Sequence, residues 1–273
     1  MKIQEFYDQD TGTFSYLIIC SETNKVSIID SVAHFDVPSA KISYDLADKL
    51  IDYIKQNNLE LTWILETHIH ADHLTAAEYI KSKLGGKIAV NENFKEVKNY
   101  WSGFFDVSLV ESAFDYFLKS DEIIKTGNIE IKIILTPGHT PACSSFVINN
   151  NVFVGDVLLD PSIGCARCDF PGGNAETLFD SVQKIYALGD DVNVYVCHDY
   201  PKVNGQQRSN TTIANHKKNN VLINEKTSKT EFVKNRQEKD SKMSVPRLLL
   251  PSIQANINAG FVDRFIKLPV NKF

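Results

Sequence analysis

The chain has no apolar stretch near the roughly 20 residues that span a lipid bilayer, and it has no dense run of lysine and arginine. Arginine is scarce, and none occurs before Arg167. Because the formal net charge of -5 opposes contact with a polyanion, we expect neither a membrane nor a nucleic-acid partner. The N-terminus also lacks a secretory core and an arginine-rich transit signal. We therefore expect a mature protein that starts at Met1 and works in the cytoplasm.

Cysteine is sparse as well, and its pattern does not indicate a disulfide framework. The five cysteines are Cys20, Cys143, Cys165, Cys168 and Cys197. Since their number is odd and no signal peptide is recognised, we expect reduced thiols. Cys165 and Cys168 form an isolated Cys-x-x-Cys pair. Without a second pair beside it, this motif is weak evidence for zinc or redox chemistry.

What the chain does contain is enough apolar sequence for a large core. It has 273 residues, 43% of them hydrophobic, so we predict a single domain over 1–273. Strand-like segments occur early and late, with helical segments between them. This order favours a sandwich of two sheets covered by helices over a doubly wound parallel sheet. We expect residues 203–273 to form a helical and tail extension packed on the body, with a capping-box pattern starting at Ser228.

Periodicity assigns several elements locally. Apolar residues at helical spacing predict helices over 41–56, 74–84 and 176–188. A short apolar run over 61–65 predicts a strand, and two apolar runs joined by three asparagines predict a hairpin over 146–154. The aromatic-rich region after residue 91 has no clear periodicity.

The most informative segment follows the strand predicted over 61–65. It contains His68, His70, Asp72 and His73 within six residues. Three imidazoles and a carboxylate at a strand-to-helix turn can converge on one point beyond the strand. This donor set suits a first-row transition metal better than calcium or magnesium alone. The segment therefore predicts a metal site, in preference to a polar turn that is merely rich in histidine.

Three further candidate ligands lie at the ends of later apolar segments. His139 stands in a Pro/Gly-rich turn, and Asp156 and His198 each follow a predicted strand. A lone histidine at a strand end is more often structural. The coincidence of several such positions weakens that reading, and only His34 and His216 among the histidines lie elsewhere.

This combination resembles the metallo-β-lactamase superfamily, whose fold is a four-layer αββα sandwich of the α+β class. The segments 136–141, 164–170 and 198–200 are further similar to those of the persulfide dioxygenases. That group includes the ETHE-type enzymes and the bacterial β-lactamase-like hydrolase proteins. The likeness extends over nearly the whole chain.

The resemblance implies that His68, His139 and Asp156 bind one Fe(II). It implies a non-haem iron persulfide dioxygenase that converts glutathione persulfide, O2 and water to sulfite and glutathione, in sulfide detoxification. Its partners would be these small molecules, with a homodimer possible. Four further residues would orient ligands or water, or hold a second metal ion: His70, Asp72, His73 and His198.

The number of donors alone does not select iron. Seven candidate ligands would equally fill two zinc sites bridged by Asp156, with a hydroxide ready for hydrolysis. The main alternative is therefore a dinuclear zinc thioester hydrolase of the glyoxalase II type, and zinc can also occupy the site in a preparation. A β-lactam hydrolase is less expected. A third alternative is a catalytically idle metal-binding or sulfide-sensing protein, which the complete ligand set disfavours.

On the substrate side, the resemblance implies catalytic roles for Arg167 and Asp169 beside the active site; the alternative is a structural ion pair between them. Tyr200 matches a tyrosine that contacts glutathione in the family. Lys217 stands where relatives carry an arginine, which preserves the charge but loses a two-pronged contact with a carboxylate. Cys165 matches a cysteine near the pocket, with packing as the alternative role.

Overall fold

The structure, a computed structural model, describes residues 1–105, 113–200, 207–262 and 266–267. The strands in these ranges are β1 (Lys2–Asp8), β2 (Thr13–Cys20), β3 (Lys25–Ile29), β4 (His34–Asp36), β5 (Lys41–Ser43), β6 (Glu60–Leu65), β7 (Lys87–Asn91), β8 (Tyr116–Leu118), β9 (Ile123–Thr126), β10 (Ile129–Leu135), β11 (Ser144–Ile148), β12 (Asn151–Phe153), β13 (Asn193–Tyr195) and β14 (Asn210–Thr212). The helices are α1 (Asp45–Gln56), α2 (Ala77–Leu84), α3 (Phe94–Phe105), α4 (Ala175–Tyr186), α5 (Ile213–Asn219), α6 (Lys229–Asp240) and α7 (Leu249–Asn256).

Two six-stranded sheets form the centre of the molecule. The first has the strand order β1-β2-β3-β6-β7-β8, and the second β14-β13-β12-β11-β10-β9. In the first sheet, β3, β6, β7 and β8 are mutually parallel, with helices in the connections after β3, β6 and β7. Antiparallel hairpins dominate the second sheet, where only β12 and β13 among the described pairs run parallel.

Buried side chains on alternating faces of the strands generate the layers. In β2, Leu17 and Ile19 join the core beneath α1, α2 and α3, whereas Tyr16 and Ile18 join the core between the sheets. Alternate side chains of a strand point to opposite faces, so a strand that is apolar on both faces must be covered on both. Strand β12 of the second sheet is likewise covered by helices, because Val152 belongs to the core beneath α4 and α6. The result is the predicted four-layer αββα sandwich.

Several local predictions are confirmed, and one is wrong. The helix predicted over 74–84 is observed as α2, although it begins three residues later, at Ala77, and the hairpin predicted over 146–154 is the antiparallel pair of β11 and β12. The helix predicted over 41–56 begins only at Asp45, because Lys41–Ser43 forms β5 and pairs with β4. Ile42 thus belongs to a strand, although its spacing from Leu46 is helical. The unassigned region after residue 91 contains α3 and β8, and residues 106–112 lie outside the described part.

The described part of the C-terminal extension packs on both sides of the sandwich. The hydroxyl of Ser228 accepts a hydrogen bond from the backbone N–H of Glu231 at the start of α6, as the capping-box pattern predicts. Phe232 of α6 packs against Phe179 of α4, and α7 contributes Ile253 to the first core. Residues 203–206, 263–265 and 268–273 of the predicted extension lie outside the described part, and the domain boundary stays a prediction.

Among the described residues, no helix combines the length and apolar character that a membrane span requires.

Candidate metal centre

The candidate ligands lie in loops from both sheets that meet at one edge of the sandwich. His68 to His73 follow β6 of the first sheet, whereas His139, Asp156 and His198 follow β10, β12 and β13 of the second. Backbone hydrogen bonds join these loops. The N–H of Ser144 donates to the carbonyl oxygen of Thr67 at 2.8 Å, and the N–H of Cys197 donates to that of Gly155 at 3.2 Å. Residues far apart in sequence are therefore held together by the backbone itself.

Gly155, immediately before Asp156, permits this close approach. Its φ of 54° is in the left-handed region, and a Cβ atom there would lie 2.6 Å from the hydroxyl oxygen of Thr67. Any side chain at position 155 would push Asp156 away from the loop that carries His68. The glycine is thus required to bring the two sheets' ligands together.

The first cluster consists of His68, His139 and Asp156, whose ligand atoms all lie within 4.8 Å of one another. Nε2 of His68 and Nε2 of His139 are each 3.8 Å from Oδ2 of Asp156. Bonds from imidazole or carboxylate to such metals are about 2.0–2.2 Å long, so two atoms that share one ion lie no more than about 4.4 Å apart. All three residues are buried. The donors therefore fit a single metal ion.

Hydrogen bonds leave Nε2 of both histidines unprotonated and available to a metal. Nδ1 of His139 lies 2.7 Å from the carbonyl oxygen of Arg167, which can only accept, so Nδ1 carries the proton. Nδ1 of His68 lies 3.0 Å from the Thr67 hydroxyl. That hydroxyl donates its own proton to Asp30 at 2.9 Å and must accept from His68. Metal-binding histidines are commonly oriented by such contacts through the other ring nitrogen.

The pKa shifts of three of the seven candidate ligands, His68, Asp72 and His73, also suit metal binding. Burial lowers the pKa of His68 well below its ordinary value, and the neighbouring His70 and His139 lower it further. Burial, together with His70, lowers the pKa of His73 to about 4. Burial alone would raise the pKa of Asp72, but His198 and His73 hold it well below its ordinary value. Neutral imidazoles and an ionised carboxylate are the forms that bind a cation.

A second cluster adjoins the first and consists of His70, Asp72, His73 and His198, with ligand atoms within 4.8 Å of one another. Nε2 of His198 lies 3.2 Å from Oδ2 of Asp72 and 3.6 Å from Oδ1 of Asp156. Asp156 thus faces both clusters. Within the described part of the chain, Nε2 of His73, Nε2 of His198 and Oδ1 of Asp156 are buried without a hydrogen-bond partner. Such unpaired donor atoms fit a second ion bridged by Asp156 as well as they fit a single ion.

His70 differs from the other histidines because two buried carboxylates contact its ring. Nε2 lies 3.1 Å from Asp30 and 3.4 Å from Glu66. Burial alone would lower the pKa of His70, but Asp30 and Glu66 outweigh it and raise the pKa well above its ordinary value. Glu66 also accepts a hydrogen bond from the hydroxyl of Thr75 at 2.6 Å. These contacts fix the orientation of the His70 ring and leave its buried Nδ1 without a partner among the described residues.

A cavity of about 350 Å³ opens beside the two clusters, within the size range of small-molecule sites. Asp72, His139 and Asp156 form its floor, and Phe170 and Tyr200 line its wall. The lining also includes four basic side chains: Arg167, Arg236, Lys239 and Arg247.

Arg167 and Asp169 form an ion pair at this cavity. Nε and Nη2 of Arg167 donate to the two carboxylate oxygens of Asp169 at 2.5 and 2.6 Å, and Nη1 donates to the carbonyl of Ser244 at 2.7 Å. The guanidinium also lies over the ring of Phe170, which in turn contacts His139 edge to face. The ion pair between Arg167 and Asp169, which the sequence offered as the alternative to catalytic roles, is therefore present. It shapes the cavity wall next to His139.

Of the remaining residues predicted from the sequence, Tyr200 and Cys165 line the cavity and Lys217 does not. Tyr200 is half exposed, lines the cavity and stacks on the ring of His198 with centroids 5.6 Å apart. Cys165 is buried and also lines the cavity. Lys217 lies on α5, where its Nζ is 2.5 Å from Oδ1 of Asp190. It is not among the described cavity-lining residues, so its predicted contact with substrate has no geometric support.

Sequence reasoning missed the contribution of the C-terminal extension to the cavity. Arg236 and Lys239 lie on α6, and Met243 and Arg247 follow it. Arg236 is buried, whereas Lys239 and Arg247 are exposed. The i, i+3 spacing of Arg236 and Lys239 places them on one side of the helix, and this was the available signal. Without the tertiary fold, it does not distinguish a cavity wall from a solvated face.

A two-sheet sandwich with clustered histidines and carboxylates at one edge defines a class of metal-binding proteins. The family model of the metallo-beta-lactamase superfamily matches residues 9–198, and the chain belongs to that superfamily. The superfamily binds metal and contains enzymes, in agreement with the clusters described above.

Individual relatives place the chain with the ETHE-type group of this superfamily. Human "Persulfide dioxygenase ETHE1, mitochondrial" is 31% identical, covering 72% of this chain and 68% of the human protein. "Glyoxylase B2" from Dictyostelium discoideum is 43% identical, covering 99% of this chain and 97% of that protein. The crystal structure of ETHE1 from Myxococcus xanthus aligns with a TM-score of 0.78 at 26% identity, covering 96% of this chain and all of that one.

Proposed function

We propose that the protein is a non-haem Fe(II) persulfide dioxygenase that converts glutathione persulfide, O2 and water to glutathione and sulfite. The observation that carries this proposal is the convergence of His68, His139 and Asp156, with Nε2 of both histidines 3.8 Å from one carboxylate oxygen. Two histidines and one carboxylate form the ligand set typical of Fe(II) oxygenases. Likeness to proteins named persulfide dioxygenase supports the same choice.

Iron, when bound, would supply redox activity towards O2 and open coordination positions for the reactants. The four electrons that reduce O2 would come from the terminal persulfide sulfur as it is oxidised to sulfite. The protein's contribution is to keep a lone pair on Nε2 of both histidines and the site partly closed to water. The Arg167 carbonyl and the Thr67 hydroxyl hold the protons on the Nδ1 atoms of His139 and His68. Phe170 covers His139 from the cavity side. We infer that the persulfide sulfur enters between Phe170 and Tyr200, which line the cavity next to the cluster.

The charge of the cavity wall supports an anionic substrate. Glutathione carries two carboxylates, and Lys239 and Arg247 are exposed basic residues at the rim. Their attraction is expected to lower KM more than to raise kcat, because neither lies among the candidate metal ligands. Lys217 provides a matched control, since its removal deletes the same charge at a position that does not line the cavity.

The central experiment is to load the purified protein with Fe(II) and record O2 uptake after addition of glutathione persulfide. We expect one O2 consumed per sulfite and glutathione formed. Lys239→Ala and Arg247→Ala should each raise KM several-fold, and Lys217→Ala should leave it within about twofold. Iron-loaded protein that takes up no O2 would refute the proposal.

One observation favours a second candidate, a dinuclear zinc thioester hydrolase. His70, Asp72, His73 and His198 form a second donor cluster that meets the first at Asp156. The likeness to "Glyoxylase B2" supports the same reading. Two zinc ions per chain together with turnover of S-lactoylglutathione would establish this function in place of the dioxygenase. The cytoplasmic location, the homodimer and the role in sulfide detoxification stay predictions.

A further inference from the structure

A continuous series of side-chain hydrogen bonds reaches His198 from the turn between β1 and β2. Oδ2 of Asp8 accepts from both the backbone N–H and the hydroxyl of Thr11, at 2.9 and 2.6 Å. The hydroxyls of Thr11 and Thr13 are 2.7 Å apart. The hydroxyl of Thr13 then lies 3.2 Å from Nδ1 of His198. His34 contacts the other oxygen of Asp8 at 3.3 Å.

The direction of these hydrogen bonds follows from the number of protons available. A hydroxyl has one proton to donate, and Thr11 gives its proton to the Asp8 carboxylate. Thr11 must therefore accept from Thr13. Thr13 has then used its own proton and must accept from His198. In the tautomer that satisfies this series, the His198 proton is on Nδ1 and Nε2 carries a lone pair.

That assignment matters because of what Nε2 faces. It lies 3.2 Å from Asp72 Oδ2 and 3.6 Å from Asp156 Oδ1. Without a proton on Nε2, three electron-pair donors face one another in a buried space, which is unfavourable unless a cation lies among them. Within the described part of the chain, neither Nε2 nor Oδ1 of Asp156 has a hydrogen-bond partner.

We propose that Asp8, Thr11 and Thr13 are positioning residues that hold His198 in its metal-binding tautomer. They do so through two hydroxyls, neither of which is itself a candidate metal ligand. The arrangement is a longer counterpart of Asp30–Thr67–His68, in which one hydroxyl has the same task. The proposal concerns a metal ion at the second cluster, whether iron or zinc, and does not depend on which reaction the site catalyses.

Thr13→Val tests the proposal, because it removes the hydroxyl and nearly preserves shape. We expect zinc affinity, measured on the zinc-loaded full chain by competition with a chelator, to fall by about 10–100-fold. Thr13→Ser restores the hydroxyl and should remain within about threefold of the parent protein. Thr11→Val should also weaken binding, although Thr11 does not contact His198. Thr126→Val is the matched control, because it removes a buried hydroxyl bonded to Ser27 away from the clusters.

Histidine 15N spectra of the same zinc-loaded protein give a readout independent of activity. The parent protein and Thr13→Ser should show a His198 proton on Nδ1 that exchanges slowly with water, and Thr13→Val should show faster exchange. A His198 proton on Nε2 in the parent protein would overturn the proposal. So would undiminished zinc affinity in both Thr13→Val and Thr11→Val, or equal losses in Thr11→Val and Thr126→Val. If Thr13→Val does not fold, the zinc affinity of Thr11→Val, at a more exposed position, tests the proposal.

Discussion

Replacing Arg236 by methionine should destabilise the protein by about 3–5 kcal/mol, because it leaves a buried carboxylate without its partner. Arg236 is 1% exposed, and its Nη2 lies 2.5 Å from Oδ1 of Asp240, which is 6% exposed. The guanidinium also donates to the carbonyl of Cys165 at 3.1 Å, and the second oxygen of Asp240 accepts from the N–H of Cys168 at 2.9 Å. The ion pair therefore joins α6 to the loop that lines the cavity.

The size of the effect follows from the separation and the burial of the two charges. Charge centres about 4 Å apart interact by about 4 kcal/mol at an effective dielectric constant of 20. Asp240→Leu should cost a similar amount, because it leaves the buried Arg236 guanidinium without its partner. The double variant Arg236→Met with Asp240→Leu should lose much less than the two single losses together, because no charge then stays buried. We expect a coupling energy of about 3 kcal/mol.

Urea unfolding of the four proteins gives the coupling energy, and the melting temperature of Arg236→Met should fall by about 10 °C. Zinc affinity should fall in Arg236→Met as well, because the same loop carries the Arg167 carbonyl that holds His139. The double-mutant cycle would refute the reasoning if the single losses add to within about 0.5 kcal/mol. That result would mean the two charges are solvated independently.

Three further predictions address the site and its pH dependence. His139→Ala should abolish metal retention, because one of three ligands to the first ion is lost; full iron occupancy measured by mass spectrometry would contradict the ligand assignment. Arg167→Ala should reduce turnover more than metal content, since the carbonyl of Arg167 and not its side chain bonds His139; equal losses would indicate a purely structural role. Burial raises the pKa of the Cys165 thiol from 9.0 to about 11, so its contribution to stability is complete below pH 9 and is lost as the pH rises towards 11. Across this pH window the free energy of unfolding should fall by up to about 2–3 kcal/mol less in Cys165→Ala than in the parent protein. An identical pH dependence of unfolding in the two proteins would count against the shift.

Much of the architecture was predictable because it depends on local patterns. Apolar runs identified the strand before His68, and helical spacing identified the segments that became α2 and α4. The Ser228 cap appears where its pattern predicts. The helix over 41–56 was placed too early, because pairing with β4 decides that Lys41–Ser43 is a strand. Pairing depends on residues elsewhere in the chain, so spacing within the segment contains no information about it.

The residues with metal-binding chemistry could be assigned before folding was considered, since imidazoles and carboxylates at strand ends can be recognised one turn at a time. What those groups face depends on the tertiary fold. It brought Thr13 to His198 across 185 positions, placed Arg247 at the cavity and paired Lys217 of α5 with Asp190. It also decided which ring nitrogens carry protons, because a tautomer depends on a donor or acceptor that comes from a distant loop.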